Sequence, residues 1–318
     1  MLATLLSPVI LFFVLGAAAG FARSDLAIPE QIAKGLSLYL MAAIGLKGGI
    51  EVAEAGFSID MLVAGLAGLA LSCFLPLPVF WVLRRFGRLD RINAAAVSAH
   101  YGSVSVVTFV AGVEVLSTSG LPPQGYMVAV LALMETPAII VGLMLARSGK
   151  RETAARGAGL LHETLLNGSV VLLAGSFLIG LIIGPEGFAS IAPVFESGFR
   201  GVLCLFLLDM GLIAARRLRG SRTLTARLAA LAVLMPILNG TVGVLIGTAV
   251  GLDVGTVAIL GTLAASASYI AVPAAMRLAL PEANPAVYLT VSLAITFPFN
   301  LTIGIPLYLS AARVLTGA

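Results

Sequence analysis

Two short stretches of this chain put hydroxyls, glycine and proline where an apolar helix would otherwise run on. The first, Ala99 to Gly112, contains Tyr101-Gly102-Ser103-Val104-Ser105 with Thr108 one turn later; the second, Ala264 to Arg277, contains Ser266-Ala267-Ser268-Tyr269 and then Pro273. They begin 165 residues apart. Apolar surroundings penalise unsatisfied backbone groups, so an interrupted helix is tolerated where it lines a wet or protein-enclosed cavity. A half-helix that starts at such a break offers free amide donors and about half a positive charge, which suits a small anion. Unwound carbonyls and hydroxyls suit a hard cation such as sodium. On this reading Tyr101, Gly102, Ser103, Val104, Ser266, Ala267, Ser268 and Tyr269 face the anion. Ser103, Ser105, Thr108 and Ser268, joined by Glu135, face the sodium ion. An isolated serine in such a segment more often bonds its own helix or a neighbour; the paired Ser-x-Ser breaks reverse that preference.

Glu135 stands beside Thr136 and Pro137, and an intramembrane carboxylate is costly enough to be a functional hypothesis by default. It neutralises a cation, carries a proton, or holds its segment to the one carrying the first break. Asp209 reads as structural, pairing with Arg200 or capping a bent helix. Asn239 and Asn300, after Pro236 and Pro298, read as amides that satisfy loosened backbone or contact substrate, the structural role being favoured. His100 is either a hydrogen-bonded packing residue or a pH-sensitive group.

The elements that must position these residues are membrane helices. Of the 318 residues, 59% are hydrophobic and 11% charged, and mean hydropathy is +1.08; ordinary globular chains carry about 25% charged residues. A span needs about 20 apolar residues. Ten segments qualify, near 5–22, 28–47, 59–83, 92–113, 124–146, 161–184, 194–215, 224–250, 255–278 and 285–312. The breaks fall in segments 4 and 9. Segment 1 lacks a basic region and a convincing cleavage site, so it reads as part of the mature chain rather than a signal peptide.

Threading the segments alternately puts sixteen of the nineteen Lys and Arg residues on one side, leaving Lys47, Arg200 and Arg313 on the other. Positive charge is retained in the cytoplasm, so both termini are expected outside it, in a bacterial inner (plasma) membrane. The net charge of +4 is thereby explained by topology, with no nucleic-acid partner needed. Cys73 and Cys204 sit in apolar runs and suggest neither a disulfide nor a metal. With only two histidines, a transition-metal centre is not expected, and no cofactor is implied beyond sodium as coupling ion.

The chain also reads as a duplication. Gly45-Leu46 answers Gly211-Leu212, Pro76 answers Pro236 and Pro137 answers Pro298, at offsets of 160 to 166. Five spans per half force the second half to enter from the opposite side, the inverted repeat of many secondary transporters. The fold class expected is therefore all-α: ten transmembrane helices in two inverted five-helix repeats with broken helices 4 and 9. The first repeat takes 1–147, a cytoplasmic connecting loop 148–160, and the second repeat 161–318.

Several stretches together resemble the SbtA-like sodium-dependent bicarbonate permeases. They are Ile44-Gly45-Leu46-Lys47-Gly48-Gly49, Tyr101-Gly102-Ser103-Val104-Ser105, Glu135-Thr136-Pro137-Ala138, Ala265-Ser266-Ala267-Ser268-Tyr269, Pro281 to Tyr288 and Gly304-Ile305-Pro306-Leu307. The resemblance spans nearly the whole chain. It implies a sodium:bicarbonate symporter that is not an enzyme, with a core domain moving against a gate domain, each built from both repeats. It also implies a homotrimer, anion and sodium sites on the two breaks, and regulation by a PII-like nucleotide-sensing partner. The chain departs from the cyanobacterial members at Tyr269, where they carry an acidic residue, and in its shorter loop near 147–159. Three other functions share some of these features: a sodium- or proton-coupled carrier of an organic anion, an intramembrane hydrolase using Ser103 and His100, and a signalling receptor.

Overall fold

A computed structural model describes residues 7–147, 168–220 and 224–317. The connecting loop expected at 148–160 lies outside them. The described residues are helical, with no strand among them. In chain order the helices are α1 (Pro8–Phe21), α2 (Glu30–Ala55), α3 (Ile59–Phe74), α4 (Pro76–Arg85), α5 (Arg91–Gly102), α6 (Val106–Thr118), α7 (Met127–Glu135), α8 (Pro137–Arg147), α9 (Gly168–Phe188), α10 (Phe199–Gly220), α11 (Ala226–Ala249), α12 (Val254–Ala265) and α13 (Ala271–Ala279). A last span, Pro285–Thr316, follows, with π-helical turns at Thr290–Thr296 and Asn300–Gly304.

Seven helical stretches among the described residues are long and apolar enough to cross a membrane: Glu30–Ala55, Ile59–Arg85, Arg91–Thr118, Met127–Arg147, Val171–Phe188, Ala226–Ala249 and Pro285–Thr316. The other three expected segments fall short for separate reasons. Pro8–Phe21 and Val254–Ala265 are apolar but short. Phe199–Gly220 has 22 residues but carries Arg200, Asp209, Arg216, Arg217 and Arg219. Helix α2 continues to Ala55, past the end expected near 47, because its glycines serve close packing rather than termination.

Helix starts follow local chemistry. A side-chain oxygen that accepts from an amide in the first turn stabilises a helix by about 1 kcal/mol. Ser58 does this for Met61 N at 3.1 Å, Asp90 for Asn93 N at 3.0 Å, Thr225 for Leu228 N at 3.2 Å and Asp253 for Thr256 N at 3.0 Å. The prolines mark internal helix boundaries: Pro76 opens α4 and Pro137 opens α8, each within a longer span, where the missing N–H leaves a carbonyl of the preceding turn without its helical donor. Pro236 lies deep inside α11, and Pro298 and Pro306 lie inside the last span.

Two helix pairs pack with backbones almost touching, α1 along α10 and α2 along α9. A Cβ at Gly16 would collide with the Leu208 carbonyl, and one at Gly180 with that of Leu46. Likewise Gly211 abuts the Phe13 carbonyl and Gly49 the Phe177 carbonyl. Small residues are what permit such approach in a medium without a hydrophobic drive between helices. Elsewhere α11 packs on α12 and α5 on α8. Phe74, Trp81, Ile182 and Val314 remain exposed, as side chains facing lipid tails must.

Arginines tie helix ends together. Arg219 Nη1 donates to Gly20 O at 2.7 Å, Arg216 Nη2 to Leu26 O at 2.7 Å, Arg91 Nε to Leu145 O at 2.8 Å and Arg147 Nη2 to Ala279 O at 3.1 Å. These are positive charges on the carbonyls that helix C-termini and loops leave free. Arg200 pairs with Glu114, Nε to Oε1 at 2.6 Å, and not with Asp209. Nine residues along a helix are about two and a half turns, so Arg200 and Asp209 face opposite ways.

Candidate functional site

Both expected breaks are present. Helix α5 ends at Gly102, residues 103–105 are extended, and α6 starts at Val106. Helix α12 ends at Ala265, with Ser266 extended, and α13 starts at Ala271. Pro273 stands in the first turn of α13, so it does not sever a longer helix; it occupies a position where amides lack intrahelical partners anyway.

The two extended segments bond to each other. Ser105 N donates to Ser266 Oγ at 3.0 Å, and Ser268 N donates to His100 O at 2.9 Å. Ser266 Oγ gives its own hydrogen to Leu263 O at 2.8 Å, and Ser105 Oγ caps α6 by accepting from Thr108 N at 3.2 Å. Gly102 permits the crossing, since a Cβ there would lie 2.6 Å from Pro76 Cδ and 2.8 Å from Ala138 Cβ.

A cavity of about 10 Å³ opens at the crossing, lined by Met41, Val104, Ser105, Val106, Glu135, Ser268, Tyr269 and Ile270. The starts of α6 and α13 thus meet at one cavity, with Glu135 and three hydroxyl-bearing residues beside them. That volume holds about one water-sized occupant. Glu135 is 3% exposed. The Tyr269 ring packs edge-on against Phe297, centroids 5.2 Å apart, and its hydroxyl, beside Ser105, has no hydrogen bond of ordinary geometry among the described residues.

The remaining candidates support this point instead of lining it. Ser103 Oγ donates to Glu135 O at 3.0 Å, and Ser72 Oγ donates to Met134 O at 2.7 Å while accepting from Ala138 N at 3.2 Å. These hydroxyls satisfy the backbone that Pro137 loosens. Tyr101 is 1% exposed; its hydroxyl lies 2.6 Å from Thr296 Oγ1, which gives its hydrogen to Ala232 O at 2.7 Å. Thr296 has one hydrogen and a carbonyl only accepts, so Tyr101 is the donor to Thr296. Ala232 O is free for this contact because Pro236, four residues on, has no N–H.

Asn300 Nδ2 donates to Ala265 O at 2.8 Å, at the end of α12, and Tyr308 OH donates to Pro236 O at 2.9 Å while lying 3.1 Å from Asn300 Oδ1. Asn300 thus satisfies loosened backbone as expected, whereas Asn239 Nδ2 is buried with no hydrogen-bond partner among the described residues. Thr108 contributes its amide to the Ser105 cap and is 1% exposed. Of the anion candidates, Val104, Ser268 and Tyr269 line the cavity, while Tyr101, Gly102, Ser103, Ser266 and Ala267 form its frame. Ser103 and His100 do not bond each other; Ser103 donates to Glu135 O and His100 Nδ1 bonds Ser268 O, so the hydrolase pairing has no geometry behind it.

Sequence reading missed Ser72, Thr296 and Tyr308. For Ser72 and Thr296 the available signal was a proline in the partner helix, at 137 or 236, whose loosened backbone requires a partner from elsewhere; Tyr308, which bonds the carbonyl of Pro236 itself, had no such signal.

Residues 8–313 match the model of a family described as the Na+-dependent bicarbonate transporter superfamily. No curated protein matches the chain.

Proposed function

The chain belongs to the Na+-dependent bicarbonate transporter superfamily, and we propose that it is a multi-pass secondary carrier that couples sodium entry to bicarbonate uptake by alternating access. The observation that carries this reading is the meeting of two half-helix N-termini and one buried carboxylate at a single small cavity. Oxygen ligands suit sodium, and the candidates are the Glu135 carboxylate and the hydroxyls of Ser105, Ser268 and Tyr269, with Ser103 and Thr108 in the surrounding frame. With the carboxylate's charge matched by the cation, the amide termini of α6 and α13 are left to attract the anion.

In this reading sodium binds first at the small cavity, and bicarbonate enters as the helices around the crossing separate. The pairs α1–α10 and α2–α9 form a gate body, and the helices around the breaks form a core body that moves against it.

Ten crossings in two inverted repeats are supported by recurring details. Gly16 on Leu208 and Phe13 on Gly211 answer Gly180 on Leu46 and Phe177 on Gly49 at separations of 164 and 162 residues. The caps recur as well, Ser58 with Thr225 and Asp90 with Asp253. The arginine contacts at Gly20, Leu26, Leu145 and Ala279 join ends that alternate threading puts on one side, the cytoplasmic side by the positive-inside rule. The termini then lie outside the cytoplasm of a bacterial inner membrane. A homotrimer with a PII-like cytoplasmic regulator completes the reading.

The test is uptake of labelled bicarbonate into proteoliposomes with and without an inward sodium gradient. Accumulation above equilibrium only with the gradient is expected. Equal uptake in both conditions, or competition by larger organic acids at equal concentration, overturns the assignment.

A further inference from the structure

His100 stands next to the first break and is fully buried, yet it is not among the groups lining the cavity. Two contacts join it to Ser268. The Ser268 amide donates to the His100 carbonyl at 2.9 Å, and the His100 ring nitrogen Nδ1 bonds the Ser268 carbonyl. A carbonyl oxygen only accepts, so Nδ1 carries the hydrogen. In the neutral ring Nε2 is then a lone pair, and Nε2 is buried with no hydrogen-bond partner among the described residues. The ring stacks on Tyr288 in the final span, centroids 4.8 Å apart and planes at 27°. His100 thus holds Ser268 twice from the end of α5, its backbone carbonyl taking the amide and its ring taking the carbonyl, while the ring is braced by a third element.

We propose that His100 is the positioning residue that fixes the second break against the first, in the Nδ1–H tautomer, and thereby sets where Ser268 and Tyr269 stand around the ion; this rests on the sodium-site reading above. The second break has few other anchors. Ser268 Oγ accepts only a long contact from Val272 N, 3.5 Å, and the Tyr269 hydroxyl has no ordinary hydrogen bond. Beyond the Ser105 to Ser266 bond and the packing of Tyr269 against Phe297, His100 supplies the short hydrogen bonds that direct residues 268–270. Without the ring donor the amide of Ser268 stays on the His100 carbonyl but the Ser268 carbonyl loses its partner, and the hydroxyl and phenol oxygens beyond it shift from the positions in which they converge on one small ion.

The test separates the donor from the ring. His100→Asn keeps a donor nitrogen the same number of bonds from Cα as Nδ1 and loses the ring. His100→Phe keeps the ring, its volume and the stack on Tyr288 but loses the donor. The readouts are the sodium KM and Vmax of labelled bicarbonate uptake, and the sodium concentration that half-saturates thermal stabilisation of the purified protein. Loss of one buried hydrogen bond predicts a sodium KM raised about tenfold in His100→Phe, with Vmax changed less and His100→Asn close to the parent. The sodium midpoint of stabilisation moves by the same factor.

Separately, the chain has two histidines, so His162→Gln leaves a single imidazole for ¹⁵N spectroscopy on otherwise native protein. Protonated Nδ1 with unprotonated Nε2 is expected. An Nε2–H tautomer, or His100→Asn as impaired as His100→Phe, or His100→Phe unchanged, overturns the proposal. Should the parent protein move no bicarbonate, the transport assignment falls, while the tautomer and the sodium midpoint still decide the role of His100.

Discussion

Replacing Thr296 by valine tests the knot that holds the first break in place. The two side chains have the same shape, so the change removes one hydroxyl from a fully buried site. Two groups lose their short bond at once, Ala232 O, held at 2.7 Å, and the Tyr101 hydroxyl, held at 2.6 Å, and keep only their mutual contact at 3.5 Å. Hydrogen bonds between membrane helices contribute about 0.6 to 2 kcal/mol each, so Thr296→Val should destabilise the protein by about 1–3 kcal/mol.

Half of that loss depends on Pro236, because Ala232 O is unpaired within its own helix only while residue 236 has no N–H. In a Pro236→Ala background that carbonyl regains an internal donor, and Thr296→Val should cost about 1 kcal/mol less. The assay is a double-mutant cycle on equilibrium unfolding in mixed micelles, with bicarbonate uptake followed in parallel. Strict additivity of the two changes would refute the reasoning, since it would mean that Thr296 does not serve the carbonyl freed by Pro236.

Further outcomes follow from the same geometry. Ser105→Ala removes the cap on Thr108 N and should cost about 1 kcal/mol of stability together with an increase in sodium KM, read by thermal unfolding and uptake. Gly102→Val should abolish transport, because its added carbons overlap Pro76 and Ala138; expression with normal uptake would show that the crossing is looser than described. Gly49→Leu should disrupt the α2–α9 contact, whereas Gly201→Ala, with nothing near its Cβ position, should be neutral or slightly stabilising by thermal unfolding. Glu135→Gln, nearly isosteric, should lower sodium affinity at unchanged expression, measured by the sodium midpoint of thermal stabilisation.

The breaks were legible because Tyr101 to Ser105 and Ser266 to Tyr269 combine hydroxyls, glycine and a nearby proline in runs that are otherwise apolar, a local signal. Glu135 was legible for the cost of burying a carboxylate. What each hydroxyl does was not. Ser103 and Ser105 look alike in sequence, yet Ser103 serves the carbonyl of a neighbouring helix and Ser105 lines the cavity, because three-dimensional direction at an extended segment is set by long-range packing. Ser72, Thr296 and Tyr308 were invisible for the same reason. A hydroxyl in an apolar run reads identically whether it bonds its own helix, as Ser292 does with Tyr288 O at 2.7 Å, or rescues a distant carbonyl. Periodic hydrophobicity also could not separate a short or charged segment such as Pro8–Phe21 or Phe199–Gly220 from a full-length apolar span.

The most direct test of coupling runs the cycle from the other substrate. Proteoliposomes containing the purified protein are given an inward bicarbonate gradient at equal sodium on both sides, the membrane potential is clamped, and entry of ²²Na⁺ is followed. A sodium:bicarbonate symporter accumulates ²²Na⁺ above equilibrium only while the bicarbonate gradient lasts, and Glu135→Gln weakens that accumulation. Bicarbonate entry that leaves ²²Na⁺ at equilibrium would contradict the account.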